Sequence, residues 1–292
     1  MEKIGIITDE AADLPQQIIK EHQIVIVPVK LDWPETENLP GENTFQKMRE
    51  LERRGIKSFG KTSQPSPKDF LDKYKDQLER FDKIICVTIT SKLSGTYNSA
   101  IQAKNFLDPE KQKRVFVVDS LNASCGQALL VFKAIDLIKI GKEAEEIFNE
   151  MEKFVPYIRF FVMIEDPKWL EASGRISHLV AILLRKIAKA GVRPLLTFKK
   201  GILVPAGIKT GAKDIPTTLF KQFEAEIKKI KKGNKKIRVA ITHGDYLEGA
   251  QRLREMIVKD FKNVEVGFLN IINNIVGAPT GPNTLALSWC EI

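Results

Sequence analysis

The chain has 292 residues, 43% of them hydrophobic and 28% charged, enough apolar material for two ordinary domains and the composition of a globular rather than a disordered protein. Forty-six Lys and Arg against 37 Asp and Glu leave a net charge of +9, and three His and three Cys without metal or redox spacing argue against a His-rich metal centre and a disulfide framework. No run approaches the roughly 18 apolar residues of a membrane span, and MEKIGIITDE has no basic, apolar and small-residue order of a secretory leader, so a cytoplasmic protein without membrane insertion is expected.

KIGIIT (3–8) reads as the first strand, LPQQIIKEH as a short helix and IVIVPVKL (24–31) as a second strand. NTFQKMRELERRG follows as a helix with Asn43 at its N-cap. SPKDFLDKYKDQLERF opens with Ser66 as N-cap, Pro67 at the first helical position and Asp69 in the first turn, a strong helix start. A strand at 83–89, a helix at 94–107, a strand at 114–120 and a helix over 123–140 stopped by Gly141 complete the first half. Short β-branched strands separated by helices indicate a parallel sheet buried on both faces.

The second half changes character. IRFFVMIE (158–165) is a strand, LLTFKKGILVPA (195–206) a hairpin turning at KKG, and KIRVAITH (236–243) and NVEVGFLNI (263–271) are further strands, with helices near 177–190, 214–232 and 246–259. The fold class is therefore α/β, an N-terminal parallel-sheet domain over 1–155 and a C-terminal mixed-sheet domain over 156–292. Much of the basic excess lies in KQFEAEIKKIKKGNKKIR (221–238), which follows a helix without interleaved aromatics and reads as a solvated helix end rather than a nucleic-acid surface.

Ligands of open α/β sheets bind at the carboxyl ends of strands. Here those ends carry Thr8-Asp9, Asp119-Ser120 and the hydroxyl-rich TITSKLSGTYNSA (88–100), and GKTSQPS (60–66) adds Thr62 and Ser63. Ser94-Gly95 falls where the 94–107 helix should begin. A helix N-terminus offers unpaired N–H groups and partial positive charge, and Gly95 allows close approach to the backbone. Two readings stay open, a cradle for one carboxylate or phosphate and a plain N-cap at Ser94 with a turn at Thr62. No G-x-x-x-x-G-K-[ST] or G-x-G-x-x-G loop is present, so neither nucleotide hydrolysis nor a dinucleotide cofactor is supported.

KTSQPSP (61–67), SKLSGTYNSA (91–100), VFVVDSLNASCGQ (115–127) and LEASGRIS (170–177), in this order, resemble the DegV family of bacterial fatty-acid-binding proteins over essentially the whole chain. The resemblance implies two α/β domains, a long-chain fatty acid as ligand with its acyl chain in an apolar tunnel covered by the C-terminal domain, and no cofactor. Carried over by position, Thr62 and Ser94 hold the carboxylate with Ser63 and Gly95 beside them, and Arg175 of SGRIS supplies a cation. It further implies a non-enzymatic carrier that presents the acid to a separate fatty acid kinase subunit, which makes the acyl phosphate used in phospholipid synthesis.

Three departures from the family pattern bear on phosphotransfer more than on lipid binding. The usual D-S-T-A-D is DEAAD here, placing Glu10 where a hydroxyl is common. In VGAPTGPNTLAL (276–287) the usual histidine is Pro279 and a glycine is Asn283, and a common arginine is Thr210. Strands 83–89 and 158–164 and helix 177–190 are candidate tunnel walls, and equally ordinary core. The alternative from another class is an enzyme acting on a small phosphorylated or carbonyl substrate, related to dihydroxyacetone kinase, with His243 as its covalent residue.

Among the other polar residues, His243 reads as a strand-end structural group, Asp119 as a cap or a hydroxyl-orienting acid, and Glu165-Asp166 with Glu171 as helix-start chemistry around Pro167. Trp33, Trp169 and Trp289 are too scattered in sequence for a stacking platform.

Overall fold

The computed structural model describes residues 2–189, 193–207, 214–229 and 235–292. The first half comprises β1 (Ile4–Asp9), α1 (Gln16–Glu21), β2 (Val25–Val27), β3 (Lys30–Asp32), α2 (Thr44–Arg53) and β4 (Lys61–Ser63). It continues through α3 (Pro67–Leu78), β5 (Lys83–Thr88), α4 (Thr96–Asn105), α5 (Pro109–Gln112), β6 (Val115–Asp119), α6 (Cys125–Lys139) and α7 (Ala144–Phe154). Then follow β7 (Arg159–Met163), α8 (Lys168–Ala172), α9 (His178–Lys189), β8 (Leu195–Lys199), β9 (Ile202–Gly207) and α10 (Ile215–Ile227). The chain closes with β10 (Ile237–His243), α11 (Leu247–Asp260), β11 (Val264–Ile271), α12 (Asn274–Thr280) and β12 (Leu285–Glu291).

These elements form two compact units. Unit 1 contains residues 1–30, 62–158 and 200–202, and unit 2 contains 31–61, 159–199 and 203–292. The sequence suggests one boundary near 155; the chain changes units near 158 and also at 30, 61, 199 and 202. Segment 31–61 belongs to unit 2 because its apolar residues Trp33, Leu39, Phe45, Met48 and Leu51 share a core with Trp169, Ile272 and Ala278.

Unit 1 is a four-stranded sheet in the order β2-β1-β5-β6, every pair parallel. Helices α3 and α4 pack on one face and α6 and α7 on the other. Both faces being covered, β1 is buried along its whole length and β5 from Ile84 to Thr88. Cys86 lies in this core, where burial pushes its thiol up to about 12, so it serves as a small inert side chain. The expected strand over 24–31 breaks in two. Pro28 has no N–H to give a ladder, and the next amide, Val29, donates to the Glu10 carboxylate at 3.0 Å. The capping reading at 66 holds: Ser66 and Asp69 form a reciprocal capping box.

Unit 2 has a six-stranded mixed sheet, β11-β10-β12-β7-β8-β9. β10, second from one edge, runs parallel to β11 and antiparallel to β12, and is buried at every residue. Its core holds Phe161, Phe223, Leu287 and Trp289, the first and last stacked at 5.5 Å. Trp33 and Trp169, far apart in sequence, meet edge-on at 6.0 Å, and both are buried, so they are core rather than platform. All three tryptophans lie in unit 2. The β8–β9 turn is made by Lys200 (φ 49°) and Gly201 (φ 81°), two consecutive left-handed residues as a two-residue hairpin of primed type needs.

Candidate functional site

In unit 1 the chain leaves β1 for β2 on one side and then crosses to β5 on the other, so the carboxyl ends of β1 and β5 form a topological switch point. The segment leaving β5 there is 89–95. Its first three amides are fixed by the ends of the neighbouring strands and by the loop after β6. Ile89 N–H donates to Asp9 Oδ2 at 2.7 Å, Thr90 N–H to the Asn122 carbonyl at 2.8 Å, and Ser91 N–H to both oxygens of Asp119 at 3.2 Å. The Thr90 hydroxyl donates to the Gly201 carbonyl at 3.0 Å, which ties residues 200–202 into this unit.

Beyond the fixed part the segment turns on Leu93 and Ser94, whose amides both return to the Thr90 carbonyl, and enters α4. The N-cap is Gly95, one residue later than Ser94, and it makes no side-chain cap. Ser94 Oγ instead lies 2.8 Å from Thr96 Oγ1 and accepts from Thr96 N–H at 3.3 Å. Among the described residues none accepts from the N–H groups of Gly95, Tyr97 or Asn98. Three donors thus stand at the positive end of a ten-residue helix beside two hydroxyls, the donor chemistry that suits a small oxyanion.

One residue of the second hydroxyl loop, Gln64, reaches the start of α4 with its side chain. Gln64 Nε2 donates to Ser99 Oγ at 3.2 Å, and a methyl at Gly95 would stand 1.9 Å from Gln64 Oε1. Gly95 therefore does admit a close neighbour, and in this structure that neighbour is an exposed amide side chain. On this loop Thr62 is half-buried and Ser63 exposed.

Asp9 sits beneath. It is fully buried, accepts from Ala11 N–H at 3.0 Å through Oδ1, and through Oδ2 takes Gln127 Nε2 at 3.2 Å as well as Ile89. Burial pushes its carboxyl up to about 6 despite these donors. Asp119, read from sequence as a cap or an orienting acid, holds Ser91 and Leu121 amides and so orders a loop. Nothing in the hydroxyl pattern alone marked these two acids as supports of 89–91; the visible signal was an Asp closing each strand that flanks β5.

Arg175 belongs to unit 2, where its half-buried guanidinium donates to the Ser173 carbonyl at 2.9 Å and burial lowers its pKa. Also in unit 2, Asp245 takes Arg49 and Asn43, Arg49 reaches Asn283 at 3.1 Å, and Asn283 Nδ2 donates to Glu165, which pairs Arg193 at 2.8 Å. Asn283 has φ 55°, a left-handed backbone where Asn is the best substitute for the usual glycine. Pro279 lies within α12. Thr210 lies outside the described residues.

His243 is buried at the end of β10, accepts from Tyr246 N–H at 3.0 Å, and burial lowers its pKa, which suits a structural role. Asp166 starts α8 by accepting from Lys168 N–H, while Glu165 and Glu171 pair arginines. Of the basic stretch 221–238, Lys228, Lys229 and Lys235 pair acids, and 230–234 lie outside the described residues. No group of three or more metal-ligating side chains occurs among the described residues, and no described helix is long and apolar enough to cross a membrane.

The fold is that of a two-unit α/β protein with a parallel and a mixed sheet, its hydroxyls and open amides gathered at a switch point. The chain belongs to the DegV family: the family described as "Uncharacterised protein, DegV family" matches residues 3–291. A DegV domain-containing protein of Clostridium acetobutylicum is 35% identical over 209 residues, 69% of this chain and 70% of its own. A fatty acid-binding protein of Thermotoga maritima is 27% identical over 97% of this chain and 96% of its own. The solved structure "Fatty Acid Binding of a DegV family Protein from Thermus thermophilus" superposes with a TM-score of 0.85 at 27% identity, covering 99% of this chain and all of that one.

Proposed function

We propose that the chain is a carrier that binds a long-chain fatty acid, its carboxylate held by Thr62, Ser63 and Ser94 hydroxyls and the α4 amides from Gly95 onward. The observation carrying this reading is the set of unpaired amides at Gly95, Tyr97 and Asn98 beside the Ser94 and Thr96 hydroxyls. A carboxylate leaving water needs such donors. The fatty-acid-binding relatives supply the ligand class. Burial of the acyl chain contributes most of the binding energy, about 0.8 kcal/mol per methylene and so roughly 11 kcal/mol gross for a sixteen-carbon acid. Arg175 is proposed as the cation on the family pattern alone. Presentation to a fatty acid kinase, in the cytoplasm, is the activity proposed for the loaded carrier, with chemistry supplied by the kinase.

Protein purified from a bacterial host should carry long-chain fatty acid detectable by mass spectrometry after denaturation. Absence of lipid from every preparation, together with no uptake of palmitate or oleate, would refute the carrier. Thr62→Ala with Ser94→Ala should weaken palmitate uptake at least tenfold, as loss of two hydrogen bonds to a charged group requires; an unchanged affinity rejects the assigned site. Acyl phosphate formed on adding a fatty acid kinase subunit and ATP tests the presentation step.

A further inference from the structure

β5 lies between β1 and β6 in the sheet, and each flanking strand ends in an aspartate that reaches sideways to the segment leaving β5. Asp9 takes Ile89 N–H and Asp119 takes Ser91 N–H, with Thr90 held between them by a neutral carbonyl. We propose that Asp9 and Asp119 are positioning residues for the head-group site, clamping residues 89–91 from both sides so that Ser94, Gly95 and Thr96 face the ligand. This rests on the fatty-acid reading for its ligand, and on the clamp geometry for everything else.

A carbonyl suffices for the Thr90 amide, so satisfying a lone N–H does not demand a charge. What a carboxylate adds is branching. The two oxygens of Asp9 collect donors from three places: Ala11 on its own loop, Ile89 after β5 and Gln127 on α6. Asp119 similarly joins Ser91 to Leu121. Charge-assisted bonds are also the stiffer kind. Their placement stops at residue 91, immediately before the turn that carries the unpaired donors, so the support and the presenting surface occupy consecutive stretches of one segment.

The clamp carries a penalty that a purely structural device would avoid. Asp9 is wholly buried, and the Cys86 thiol beside it in the core is neutral, its pKa pushed up to about 12 by burial, so it offers no compensating positive charge. Two acids behind a site for an anion also disfavour the ligand electrostatically. Retaining them makes physical sense where a fixed loop gains more binding than the negative charge removes, since a pre-ordered site spends none of its contact energy on ordering.

The test uses the full chain as wild type, Asp9→Asn and Asp119→Asn, each with and without Ser94→Ala. Asp119 is half-buried, so its variant stands in should Asp9→Asn fail to fold. Hydrogen exchange of peptides spanning 89–98 should speed up about ten- to hundredfold in each single variant, the factor for losing a hydrogen bond to a charged acceptor, while sheet amides of β1 and β5 stay protected. Palmitate affinity should fall at least tenfold, and by less when Ser94 is already Ala, because clamp and hydroxyl act through one loop. Unchanged exchange at 89–98, an affinity that holds or rises, or strictly additive losses would each overturn the clamp. Should the wild type take up no palmitate, the fatty-acid reading fails while exchange alone still decides the clamp.

Discussion

Replacing Asp9 by Asn removes the one fully buried aspartate among the described residues, and its effect on stability has a defined pH dependence. Burial raises the folded-state pKa from 3.8 to about 6. As pH rises, the unfolded chain therefore gives up this proton first. The stabilisation associated with protonated Asp9 is complete below 3.8 and gone above about 6. At about 1.4 kcal/mol per pH unit across that window, wild type should lose about 3 kcal/mol relative to Asp9→Asn between about pH 4 and pH 7. All other titrating groups are shared by the two proteins and cancel in the comparison. Urea unfolding read by pulse-labelled exchange of β1 and β5 amides, at several pH values for both proteins, measures the difference. Parallel pH profiles would show that Asp9 is solvated or already neutral, and would refute the buried-charge account.

Gly95→Ala should fold with a stability change under about 1 kcal/mol, because φ is −75° and the obstructing Gln64 amide is the end of an exposed side chain that can swing away; its palmitate affinity, read by calorimetry, should nonetheless fall as the methyl fills the approach to the open amides. Asn283→Gly keeps the left-handed backbone, whereas Asn283→Val places a β-branched residue at φ 55° and should be less stable than the glycine variant by about 1–2 kcal/mol in urea unfolding. Ser66→Ala breaks the capping box of α3 and should lower stability by about 1 kcal/mol by the same measurement. Residues 1–155 expressed alone should not give a cooperative thermal transition like the full chain's, since Trp33, Phe45 and Met48 lose the partners Trp169, Ile272 and Ala278; a sharp transition from that fragment would show that segment 31–61 needs no partner beyond it.

What the sequence made legible was local. Ser66, Asn43, Gly141 and the Lys200-Gly201 turn act through their own backbone neighbours, and each behaves as its residue type demands. The strand over 24–31 failed at Pro28 because its continuous apolar pattern outweighed a missing donor in the reading. Strand β12, LALSWCE, was not resolved from the sequence, and it is the partner that separates β10 from β7. Helix α7 was likewise missed, although AEEIFNEMEKF has the spacing of an amphipathic helix, with Ala144, Ile147 and Met151 buried. At the site, the hydroxyls of 62–63 and 94–96 stood out by composition. Asp9 and Asp119 were legible only as strand-end residues, Asp119 also as a cap or orienting acid; their hold on 89–91, and the part of Gln127, depend on which strands lie side by side, and that order is a property of the sheet.

Indole emission from this protein comes wholly from the half built on the mixed sheet, since Trp33, Trp169 and Trp289 are all interior there and the parallel-sheet half has tyrosines and phenylalanines but no tryptophan. A fluorimeter tuned to tryptophan reports directly on the surroundings of side chains within 31–61, 159–199 and 203–292, so a melting curve taken that way follows those segments first. A single indole introduced near Tyr97 would give the silent half its own optical signal.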